Sequence, residues 1–153
     1  MGNCGFNGAS CMNAEPAREF LDTNVLVYAH DRSAGEKRGR ALRLIEEVAT
    51  RENGALSIQV LQEFFVTVTT KLPNPLPVHD AAAIVSDLGA LPTHAPGVTD
   101  VLTAIDIHDR LQVSFWDAMI LRSASALRCA VVWSEDLAHG RRYDGLEVRN
   151  PFI

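Results

Sequence analysis

The chain has 153 residues, 47% of them apolar and 22% charged, with a net charge of −5. That length fits one ordinary domain with a core that needs no staples, and the composition excludes a disordered or collagen-like chain. No run approaches the roughly 18 apolar residues of a membrane helix, and so acidic a chain is not a general nucleic-acid coat with a broad basic surface.

The charge is uneven. Residues 32–43 carry Arg32, Lys37, Arg38, Arg40 and Arg43 against Glu36, a local +4, whereas 44–109 carry two bases against nine acids. Twelve of the fourteen bases are Arg, which suits bidentate phosphate contacts better than Lys. The segment reads either as a phosphate-contacting edge or as a solvated helix face. The cysteines, Cys4, Cys11 and Cys129, are odd in number, which is no disulfide framework and points to a reducing, cytoplasmic compartment. Residues 1–16 have neither the basic start nor the apolar stretch of a secretory signal. Rich in Gly and Asn, they read as a flexible tail ahead of one domain spanning 17–153.

In chain order, the apolar run from Phe20 is a buried strand ending near Asp22, with a turn into a short helix. Ala41, Leu44, Ile45 and Val48 recur with helical spacing, which predicts a helix over 36–52 stopped by Asn53-Gly54. A short strand follows at Ala55-Leu56-Ser57. Leu61, Phe64, Phe65 and Val68 mark the next helix, ended by Pro73, Pro75 and Pro77. Residues 78–89 form another, closed by Gly89. Thr99 is placed to cap a helix carrying Val101, Leu102 and Ile105, and Ser114 to cap one running to about Leu127. Residues 130–134 have the apolar density of an interior strand, and Leu146–Arg149 is a last short one. Strands alternating with helices predict an α/β fold, three-layer α/β/α with a largely parallel sheet.

In such a sheet, sites form beyond the carboxyl ends of the strands. Asp22 and Asp136 fall at two such ends, where parallel strands put them on one edge. Asp22 stands inside the first apolar strand, where a charge is costly unless paired or metal-bound. Asp117 heads a helix whose inward stripe carries Ile120, Leu121 and Ala124; Glu63 lies off the apolar stripe of its own helix, facing solvent or a cleft. Each has a plainer reading: Ser114-x-x-Asp117 fits a capping box, Asp136 a turn, Glu63 a solvated surface. If the four converge, their mutual repulsion is relieved by a divalent cation. An all-oxygen set selects Mg²⁺ or Mn²⁺ over zinc. One such ion, or a pair, can activate water against a phosphodiester. The five histidines show no close pairing, no glycine loop cradles a phosphate, and Ser123 and Ser125 lack nucleophile-elbow glycines.

Four pieces, in this order and spacing, resemble the PIN-domain nucleases: Phe20 to Tyr28 around Asp22, Gln62-Glu63-Phe64, Phe115 to Ile120 around Asp117, and Ser134 to Gly140 around Asp136. With the closing Asn150-Pro151-Phe152, the resemblance covers about Ala17 to Ile153. Among bacterial members it is most similar to the VapC-type toxins of type II toxin–antitoxin pairs. The resemblance implies a PIN-like fold and a Mg²⁺- or Mn²⁺-dependent endoribonuclease. It carries Asp22, Glu63, Asp117 and Asp136 over as the catalytic, metal-binding set, with Asn24 and Ser134 as supporting polar residues. It further implies an RNA substrate, a homodimer, and a small protein antitoxin that occupies the cleft. Two other readings stand beside it. One is a PIN-like interaction module without catalysis, which need not bind Mn²⁺. The other is a haloacid-dehalogenase-type phosphatase, which needs a second Asp where Asn24 stands. A receiver domain needs a late Lys, and none follows Lys71.

Overall fold

The computed structural model describes residues 14–153. Cys4, Cys11 and nearly all of the expected tail lie outside the described residues, and Ala14–Ala17 carries no regular structure. Six strands and six helices follow: β1 (Arg18–Leu21), α1 (Thr23–His30), α2 (Glu36–Arg51), β2 (Gly54–Ser57), α3 (Ile58–Thr70), α4 (Val78–Leu88), β3 (Thr93–His94), α5 (Val98–Leu111), α6 (Phe115–Ala126), β4 (Cys129–Trp133), β5 (Arg142–Tyr143) and β6 (Leu146–Arg149). Among the described residues no helix is long and apolar enough to cross a membrane.

The strands form one sheet in the order β3-β2-β1-β4-β6-β5, parallel except for β5 against β6. From β1 the chain steps outward to β2 and then β3, and its crossovers are α1 to α4. It then returns through α5 and α6 to β4, on the other side of β1. Right-handed crossovers in opposite directions put the two helix groups on opposite faces, which makes three layers. The reversal falls between β1 and β4, where Leu21 pairs with Trp133. A crevice opens at such a point beyond the carboxyl ends of the strands.

The interior strands are buried on both faces, so they read as continuous apolar runs rather than alternating ones. Phe20, Leu21, Leu56, Val132 and Val148 meet Val60, Phe64 and Val68 of α3 and Ala118, Leu121 and Ala124 of α6 in one core.

Three local features differ from the sequence reading. Helix α2 ends one residue earlier, with Glu52 in the left-handed region at φ 54°. Gly54 is required for closeness: a Cβ there would lie 2.8 Å from Val48 Cγ1. Thr99 does not cap α5; the cap is Gly97, whose N–H donates to the Asp100 carboxylate at 2.8 Å, so the helix begins at Val98. The interior strand is Cys129–Trp133, which leaves Ser134 just beyond it. Two further strands, β3 and β5, are two residues each, too short for any periodicity to reveal.

Candidate active site

Asp22 is the first residue after β1 and the N-cap of α1. Its backbone N–H continues the sheet ladder to the Trp133 carbonyl at 3.0 Å. One carboxylate oxygen accepts from the Thr23 N–H at 2.7 Å, the other from Ser134 Oγ at 2.7 Å. The side chain is thus hydrogen-bonded but touches no cation among the described residues, and Asp22 is only 4% exposed. Burial pushes its pKa up to about 7. The two hydrogen bonds work against that rise, and the negative charges of Asp136 and Glu63 add to it.

Glu63 stands in the second turn of α3. It is half-buried and turned toward α1, where Thr23 Oγ1 donates to one oxygen at 2.8 Å. Gln59, one turn earlier, donates Nε2 to the other at 2.9 Å. Asp117 opens α6. Its N–H donates to Ser114 Oγ at 3.0 Å, and that hydroxyl donates back to the Asp117 carboxylate at 2.7 Å. The capping reading of Ser114 therefore holds, and the same contact orients Asp117.

Asp136 lies exposed in the loop after β4. Asn24 Nδ2 donates to its carboxylate at 3.2 Å, while Asn24 Oδ1 accepts from the Glu135 N–H at 3.3 Å. Ser134 Oγ accepts the Asp136 N–H at 3.1 Å while bonding Asp22. Both residues marked as supporting, Asn24 and Ser134, thus bridge β1–α1 to the β4 loop.

All four acids line one open cleft of about 450 Å³, together with Gln59, Gln62, Trp116 and Ile120. A groove of about 590 Å³ adjoins it between α1 and α3, sharing Gln62, Glu63 and Asp136 and carrying Val27, Val66 and Leu72. Among the described residues no group of three or more His, Cys, Asp or Glu is gathered tightly enough to hold a metal ion as it stands. The donor chemistry nonetheless fits a hard cation: the cleft's acids offer oxygen alone, and Asp22 is a buried acid repelled by two others.

Several site residues escaped the sequence reading. Thr23 and Gln59 orient Glu63, and their only signal was adjacency to Asp22 and an i,i+4 spacing to Glu63. A second cluster anchors the loop of Asp136. Lys37 is ion-paired with Glu135 and lies over the rings of Tyr28 and Phe152 at 4.7 and 5.6 Å. Tyr28 Oη donates to Glu135 at 2.7 Å. Burial alone lifts the Glu135 carboxyl, but the Lys37 ammonium and Tyr28 hydroxyl outweigh it and hold the group below its ordinary value. Lys37 is therefore a structural cation rather than part of a free basic edge. Arg40 and Arg43 line a different groove, with Trp133 and Pro151. The acid-lined cleft contains neither Arg nor Lys among its described lining.

The sequence alone matches none of the curated proteins. Solved structures resemble the fold. A toxin–antitoxin complex from Klebsiella pneumoniae has a TM-score of 0.64 at 18% identity, covering 88% of this chain and 98% of the other. DNA-bound VapBC from Salmonella typhimurium gives 0.61 at 18% identity, over 88% and 98%. Mycobacterium tuberculosis VapC20, a toxin that cleaves the sarcin–ricin loop, gives 0.60 at 17% identity, over 77% and 89%. A family model, the PIN domain, matches residues 20–145. That match runs from the first strand, just ahead of Asp22, past Asp136 to the antiparallel edge, and the chain belongs to the PIN domain family.

Proposed function

We propose that the protein is a metal-dependent endoribonuclease, the toxin of a toxin–antitoxin pair. One observation carries the reading: acids from four separate segments of the chain line a single cleft at the switch point of the sheet. The similarity to toxin–antitoxin structures supports the toxin role, and VapC20's cleavage of the sarcin–ricin loop supports the substrate class.

Asp22, Glu63, Asp117 and Asp136 would hold Mg²⁺ or Mn²⁺. Such an ion, when bound, polarises a phosphodiester and makes water a competent nucleophile at neutral pH. The chain's own part is orientation. Ser134 and the Thr23 N–H fix Asp22, Thr23 and Gln59 fix Glu63, Ser114 fixes Asp117, and Asn24 fixes Asp136. The donors on Asp22 are neutral, so its charge is left for a cation. The adjoining apolar groove offers a seat for an antitoxin segment that would cover the acids. A second copy of the chain would dock on α5, whose Val98, Val101, Leu102 and Ile105 are exposed on one face.

Cleavage of RNA by the purified protein with Mn²⁺, abolished by EDTA and by Asp22→Asn, is the deciding assay. A folded protein that binds neither Mn²⁺ nor RNA is instead a PIN-like interaction module. The phosphatase reading loses its acid/base, because Asn24 stands in that place and is engaged with Asp136.

A further inference from the structure

This inference rests on the nuclease reading. Trp116 immediately precedes Asp117 in the first turn of α6 and is 63% exposed, whereas its neighbour Phe115 packs against the core. In the acid-lined cleft it is the only aromatic side chain among the described lining. Two contacts hold it in place. Its ring meets Phe115 edge to face, with centroids 5.2 Å apart. Its backbone carbonyl accepts from Gln59 Nε2 at 3.4 Å, and the same nitrogen donates to Glu63. Both partners are acceptors, so the amide has one orientation, which leaves Gln59 Oε1 buried without a partner among the described residues. Gln59 thus ties the Trp116 backbone to a site carboxylate, and the indole rests against Phe115 in the lining of the acidic cleft.

The electrostatics of the cleft are the second half of the argument. Its described lining holds four acids and neither Arg nor Lys, so a polyanion approaching without cations meets repulsion. An attraction that does not depend on charge must hold the strand, and a base stacked on an aromatic face supplies one that tolerates any sequence. We propose that Trp116 is a stacking platform for an unpaired RNA base flanking the phosphodiester presented to Asp22 and Asp117. In a duplex both faces of that base are already covered, so the platform favours single strands.

The test uses the full chain with a fluorescein-labelled, single-stranded oligoribonucleotide, followed by anisotropy in EDTA, where nothing turns over. Trp116→Ala should weaken binding about 5- to 100-fold, the range of one lost base stack. Trp116→Phe should stay within about threefold of wild type. An abasic nucleotide walked along the strand should weaken wild type at one position and leave Trp116→Ala indifferent there. With Mn²⁺, Trp116→Ala should raise KM more than it lowers kcat. Unchanged affinity or KM in Trp116→Ala overturns the platform and leaves the nuclease reading intact. Equal losses in the Ala and Phe variants, with a dimer turned monomeric in light scattering, assign the indole to an interface between copies and also overturn it. RNA bound with this Trp116 dependence but never cut by wild type with Mn²⁺ upholds the platform and overturns the nuclease.

Discussion

Two buried acids stand within four residues of each other, and their partners decide what each does. Glu19 receives Arg51 Nη1 at 2.6 Å and Trp133 Nε1 at 2.6 Å, so its charge is balanced inside the fold. Among the described residues Asp22 receives a hydroxyl and its neighbour's N–H, both neutral, so its charge is not. A folded-state pKa of about 7, above the ordinary carboxylate range, means that native Asp22 takes up a proton more readily than in the unfolded chain. Its contribution to stability is therefore full below about pH 4 and is lost as pH rises through about 7. Asp22→Asn should abolish cleavage while stabilising the metal-free protein, on the order of 2 kcal/mol or about 5 °C in Tm at pH 8. In melts with EDTA, the gap between variant and wild type should widen from pH 5 to pH 8. A constant gap would show that burial does not penalise the Asp22 charge.

Ser134 is the second residue on which the site turns, because one buried hydroxyl serves Asp22 and the Asp136 N–H together. Ser134→Ala removes both contacts and leaves a buried carboxylate with one donor fewer. Mn²⁺ affinity by calorimetry should fall about 10- to 100-fold, the usual cost of removing a group that orients a metal ligand. An affinity within twofold of wild type would place Ser134 outside the site.

At the scale of elements, the four acids ride on structures of unequal firmness. Asp22 is held by a sheet ladder, Glu63 and Asp117 by helix turns, and Asp136 by a loop. That loop is fastened where Glu135 meets Lys37 from the start of α2 and Tyr28 from α1. Lys37→Ala should therefore act on Asp136 rather than on the fold. We expect Mn²⁺ affinity and cleavage to fall about tenfold, with Tm within about 2 °C, since the ammonium is substantially exposed. A large Tm loss with unchanged metal affinity would make the cluster purely structural. Helix α5 has a different imbalance. Ala104 and Ile107 face the core, while Val98 and Leu102 are 78% and 62% exposed. Leu102→Asp should convert a dimer to a monomer in light scattering without lowering Tm by more than about 2 °C. A wild-type protein that is already monomeric at micromolar concentration would remove α5 as an interface.

The whole molecule is net acidic, with Arg40 and Arg43 of its basic segment turned to another groove and Lys37 internally paired. Few phosphates can then be neutralised per protomer. RNA binding should weaken with salt at about −0.7 in log–log slope per contact, with a total no steeper than about −3. Hairpin-loop RNA should outcompete a perfect duplex for the Asp22→Asn protein with Mn²⁺. A steep slope with equal duplex binding would mean that the arginines of α2 form the main RNA surface after all.

The sequence by itself offered four acids as site candidates and determined the α/β class and most element positions. Those properties are written in local chemistry: apolar runs for strands buried on both faces, 3.6-residue stripes for α2 and α3, and a Ser before α6. Asn24 and Ser134 were legible only through the family resemblance, since nothing local marks a polar residue as a bridge. The tertiary structure alone decided three things. It made strands of Thr93-His94 and Arg142-Tyr143, because a two-residue strand exists only through its neighbour's ladder. It took Lys37 out of the basic edge, because its partners lie 9 and 98 residues away in the chain. And it put Trp116 in the wall of the acidic cleft rather than in the core, because a residue's side of a helix has meaning only once another element covers the opposite one.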